Sequence, residues 1–68
     1  MTANDNRPRL IAPKDAAAAT SLSRTLLILM AEAGGFPKPV SLSERRSAYM
    51  RAEVEEWIDK RIAASAAA

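Results

Sequence analysis

At 68 residues the chain has room for one small domain and too little interior for a deep, enclosed active site. It contains neither cysteine nor histidine, so it lacks the commonest metal ligands, a thiol nucleophile and the commonest general base. The carboxylates, serines and lysines that remain fall in no recognisable catalytic spacing, which argues against an enzyme, a metal centre, a cofactor or a small-molecule site.

The net charge of +2 is small but unevenly spread. Residues 1–51 hold eight of the ten Lys/Arg against four acids, whereas residues 52–68 hold Lys60 and Arg61 against Glu53, Glu55, Glu56 and Asp59. The basic part suits a polyanion and the last segment faces elsewhere; an ordinary solvated surface is the plain alternative. The longest apolar run, Leu26–Ala31, is far short of the roughly 20 residues of a bilayer span, and the first residues lack the apolar core of a signal peptide. Abundant alanine and arginine fit a GC-rich bacterium. The expectation is a bacterial cytoplasmic, nucleoid-associated protein without membrane contact.

Residues 1–9 are polar and aperiodic and are expected to form a flexible arm. Leu10 and Ile11 are the first residues able to anchor the chain to a core. Pro13 suits the first turn of a helix, Asp15 suits the helix dipole, and Ala16–Ala19 have the highest helix propensity, so a helix is expected over 13–19. Ser23 is a good N-cap for a second helix over 24–33, and Leu22 and Leu27 have the spacing of a hydrophobic staple. Gly34 and Gly35 should end that helix. Helix, turn and capped helix make a helix-turn-helix outline.

Pro37 and Pro39 enforce an extended path after Phe36. Val40-Ser41-Leu42 and Ser47-Ala48-Tyr49 alternate like short strands around a polar tip, Ser43-Glu44-Arg45-Arg46, which gives a β-hairpin or wing. A last helix starts near Arg51 or Ala52, with Val54, Trp57, Ile58 and Ile62 on one face and Trp57 as its largest core residue. Glu56 and Lys60 form a favourable i,i+4 pair. Residues 63–68 are an Ala-rich tail that continues the helix or frays. The expected fold is mainly α with a small β-hairpin: a winged helix-turn-helix of three helices and a two-stranded wing, with the domain over 10–62.

Three segments carry a family resemblance: Leu22-Ser23-Arg24, Phe36-Pro37-Lys38-Pro39-Val40, and Ala48–Ile58. Together they resemble the AlpA-like phage regulators and excisionases, small winged helix-turn-helix proteins related to the DNA-binding domain of the MerR group. The resemblance covers about Arg9 to Ile62. It implies double-stranded DNA as partner, with Ser23, Arg24 and Thr25 at the start of a recognition helix. Ile28 and Leu29 would lie further along that helix, and Lys38, Arg45 and Arg46 would reach backbone or an adjacent minor groove. It also implies transcriptional regulation of an integrated element, or excision with an integrase as a recombination directionality factor. A domain this small covers only part of a typical site, so self-association on repeated sites, head to tail, is expected.

The chain departs from that pattern where the family usually has serine or threonine at 26, tyrosine at 28, arginine at 29 and glycine at 21. Here these are Leu26, Ile28, Leu29 and Ser21. The three aliphatics leave three readings open: apolar contact with thymine methyls, a protein-binding face, or a wider core. The second of these motivates the alternative function, a protein-interaction adaptor that keeps the fold but binds DNA weakly.

Overall fold

Backbone chemistry at a few positions sets the path of the chain through residues 8–67, which the computed structural model describes. Apart from Pro8 and Arg9, the expected N-terminal arm lies outside those residues. A two-residue strand, β1 (Leu10–Ile11), leads through extended Ala12 into helix α1 (Pro13–Thr20), with proline in its first turn. Ala16 is fully buried and Ala17 packs on the core, so small side chains let the next helix approach closely. The Thr20 hydroxyl donates back to the Ala16 carbonyl at 2.9 Å, and accepts the Leu22 N–H at 3.3 Å.

Ser21 then turns the chain in the left-handed conformation, at φ 64° and ψ 22°. Ser23 caps helix α2 (Arg24–Glu32) as expected, its hydroxyl accepting the Leu26 N–H at 3.0 Å. Leu22 packs on the same cluster as fully buried Leu27. At the far end Gly34 adopts φ 87°, its N–H donates to Ala31, and the Gly35 N–H donates to the Met30 carbonyl at 2.7 Å. This is a Schellman ending, which satisfies carbonyls the helix leaves open. Ala33, expected as the last helical residue, is the C-cap.

A serine in the left-handed region carries backbone strain that glycine does not. Ser21→Gly is therefore expected to stabilise the domain by about 0.5–1 kcal/mol, after allowing for the extra freedom of glycine in the unfolded chain. Thermal unfolding followed by circular dichroism should show a midpoint several degrees higher. A lower midpoint would mean that the serine side chain compensates the strain.

The wing is formed by β2 (Val40–Ser43) and β3 (Arg46–Met50), antiparallel in the register Val40↔Ala48, Ser41↔Ser47, Ser43↔Arg46. A bulge lies between Ser41 and Ser43, so the expected four-residue tip shrinks to Glu44–Arg45 and Arg46 belongs to the strand. The sheet has a third strand that the sequence reading did not include. β1 pairs with the other edge of β3 (Leu10↔Met50, Ile11↔Tyr49), giving the order β1-β3-β2. Arg51 extends this seam: its backbone N–H donates to the Arg9 carbonyl at 2.8 Å and its Nε to the Pro8 carbonyl at 2.7 Å.

Helix α3 (Arg51–Ala67) follows β3 directly and stays helical through residues 63–67. Val54 is buried, and Trp57 and Ile58 pack half-buried against the core. Ile62 lies on the same face, lining a depression with Trp57, Ile58 and Leu22, but is 61% exposed. Trp57 is packed against the core, but the largest fully buried side chains are Tyr49, Leu27 and Val54. The Trp57 indole N–H must reach a partner, and it donates to the Gly35 carbonyl at 2.7 Å from the edge of the core. Arg61 lies over its ring, 4.9 Å from the centroid. The expected Glu56–Lys60 pair forms at 3.5 Å in solvent, where it contributes little.

Phe36 is the hub of the core. Its ring meets Tyr49 edge to face at 5.5 Å and Trp57 at 5.0 Å, joining the loop after α2 to β3 and α3. Burial also pushes the Tyr49 hydroxyl above its ordinary pKa of 10.0. The whole is a winged helix-turn-helix in which α1 and α2 form the helical pair and β2–β3 the wing.

Candidate nucleic-acid interface

Leu27 and Ala31 are buried and Met30 half-buried, which fixes the rotation of α2. At about 100° per residue, Thr25, Leu29 and Glu32 point directly outward. Arg24 and Ile28, one turn apart, flank that ridge on one side, and Leu26 lies on the other. Exposure agrees: Leu26 is 40% exposed, Ile28 50% and Leu29 56%. A wider core is therefore excluded for these three aliphatics.

Two surface depressions border α2. The first, of about 470 Å³, brings Arg24 from the start of α2 together with Arg45 and Arg46 from the wing. Lys14 from the first turn of α1 also lines it, and Leu10 and Leu42 supply apolar wall. The second, of about 370 Å³, is lined by Ile28, Ala31, Glu32, Lys38 and Pro39. Lys38 is thus placed beside the C-terminal half of α2, away from the arginine cleft. Ser23 is committed to its capping bond but remains exposed at the helix start.

All of these cations are exposed, and among the described residues Lys14, Arg24, Lys38, Arg45 and Arg46 make no ion pair with an acid. Two of the four acids of α3 are engaged locally, Glu55 with Arg51 at 3.2 Å and Glu56 with Lys60. Uncompensated guanidinium groups converging from two elements produce a positive field over one cleft, and planar forks of this kind match phosphate oxygens. The sequence reading missed Lys14. Its position in α1 carries no local signal; only the packing of β1 and α1 beside the wing brings it to the cleft.

A family model described as "Prophage CP4-57 regulatory protein (AlpA)" matches residues 9–62. The chain belongs to the AlpA family. The family is one of phage regulatory proteins, and the match takes in both depressions bordering α2, together with the Arg9–Arg51 seam that closes the sheet. No curated protein and no solved structure matches the chain. Among the described residues no helix is long and apolar enough to cross a membrane, and no group of acids is arranged to hold a metal ion.

Proposed function

We propose that this AlpA-family chain is a DNA-binding accessory protein of an integrated mobile element, acting in the bacterial cytoplasm as an excisionase, a transcriptional regulator or both. The observation that carries the reading is the convergence of Arg24 with Arg45 and Arg46 on one basic cleft, where none of them pairs with an acid among the described residues. The helix-turn-helix start and the wing tip then face the same duplex. In this reading α2 enters the major groove, with Ser23, Arg24 and Thr25 near phosphates and base edges and Ile28 and Leu29 further in. Arg45 and Arg46 take backbone or the neighbouring minor groove, and Lys38 takes phosphate beyond the C-terminal half of α2.

A module of this size covers a short site, so several copies bind repeated sites head to tail, and an integrase is the partner in excision. Footprinting on the element's attachment region and promoter tests the role. Protection of attachment-site arms with integrase-dependent excision is the expected result for an excisionase; protection confined to the promoter would leave only the regulator. A second reading rests on the exposed Leu26, Ile28 and Leu29, which suit a protein-binding adaptor. In a mobility-shift assay on random duplex at low salt, no shift at micromolar chain would favour the adaptor.

A further inference from the structure

We infer that Ile28 and Leu29 read the C5 methyl groups of pyrimidines, so that the chain selects thymine at the base pairs facing the middle of α2. The inference rests on the DNA-docking reading above and specifies its chemistry. Leu29 is at the crest of the exposed ridge and Ile28 on its flank, the two being 56% and 50% exposed. Leu26 lies about 60° further round, away from Ile28, and takes no part.

The surroundings favour DNA over protein as the occupant of this apolar pair. One turn before Ile28, Arg24 opens the arginine cleft, and Ile28 itself shares the second depression with Lys38 and with one acid, Glu32. Arg24, Arg45, Arg46, Lys14 and Lys38 outnumber that acid, so the surface around the apolar pair is net basic and complements a polyanion. Between the two phosphate ridges of a duplex lies the major groove, and the side chains framed by the cations must meet its floor.

That floor offers hydrogen-bonding atoms at every base, and only thymine adds an apolar one. Isoleucine and leucine have no donor or acceptor. Set against guanine, adenine or cytosine they strip water from N7, O6 or an amino group and replace nothing, which penalises those bases. Set against thymine they bury a methyl. Selection therefore acts in both directions, and it needs no residue that hydrogen-bonds a base. Burial of one methyl is expected to change affinity about fourfold, and of two about fifteenfold.

The test is a duplex selected from a randomised pool for binding to the full chain, then synthesised with thymine or with uracil at every thymine position. Uracil pairs identically and lacks only the methyl. The uracil duplex is expected to bind about four- to fifteenfold more weakly. Ile28→Ala combined with Leu29→Ala should bring the two duplexes within about twofold of each other. Both substitutions fall on an exposed helix surface and raise helix propensity, so the thermal midpoint should be retained. Equal binding of both duplexes by the unaltered chain would overturn the inference, leave DNA docking standing, and assign the ridge to a protein. Discrimination that survives in the double variant would also overturn it, by placing methyl sensing elsewhere. Failure to shift any duplex at micromolar chain and low salt would remove the DNA reading and this inference together.

Discussion

Phe36→Ala is expected to unfold the domain at physiological temperature. The ring is 4% exposed and holds Tyr49 and Trp57 in edge-to-face contact, so truncation removes apolar burial and two aromatic pairs at once. Phenylalanine-to-alanine changes in cores cost about 3–5 kcal/mol. A single core in a chain this short rarely supplies more than about 3–5 kcal/mol, so the loss consumes most of it. Urea titration followed by far- and near-ultraviolet circular dichroism should show the cooperative transition moved to near zero denaturant. Phe36→Leu, which retains much of the volume, should keep a clear transition. A loss below about 1 kcal/mol for the alanine variant would show that helices and wing cohere without this ring.

Arg24→Ala, Arg45→Ala and Arg46→Ala together are expected to lower DNA affinity about a hundredfold at 0.15 M salt without disturbing the fold. The three side chains line one cleft and are exposed, and among the described residues they make no ion pair, so the packing described above does not depend on them. Each phosphate contact contributes roughly 0.9 to the slope of log affinity against log salt. Between about 0.15 M and 1 M salt that slope is worth about fivefold per contact, and the three multiply. The slope itself should become shallower by about 2.7, and the share of the reduction due to Arg45 and Arg46 should be uniform across DNA sequences. A change below threefold with an unaltered slope would place the duplex on another face, leaving Lys38 as the basic group near α2 outside the cleft.

How much of this was readable in the chain depends on how local each determinant is. The Ser23 cap, the Gly34 ending, Pro13 in the first helical turn and the prolines before β2 each act within a few residues, and each is found where the sequence places it. The β1–β3 pairing was not readable, because two residues cannot display a period and their partners lie about 40 positions away. The bulge near Leu42, which moves Arg46 from the tip into the strand, has no sequence signal of its own. Local sequence marks Phe36 as the residue before a proline and the start of a family-like segment; its central role is set by three elements meeting, whereas Trp57, marked out by helical periodicity, is held at the rim by its indole N–H. The same holds for the site. The individual cations were identifiable by type, but the joining of Arg24 to Arg45 and Arg46, and the addition of Lys14, are products of the packed fold.

The closing of the sheet by β1 has a mechanical consequence for the wing. Tyr49 and Met50 pair with β1, and Ala48, Ser47 and Arg46 pair with β2, so β3 is gripped at its root from the side opposite the hairpin. Ala48 is itself buried, so the hairpin is free only beyond it, as a cantilever about 10 Å long with Arg45 at its end. Bending amplitude grows toward such an end while the root stays still. On the proposed docking, this leaves the guanidinium tips free to follow a groove whose width varies from step to step while the root of β3 stays fixed by β1.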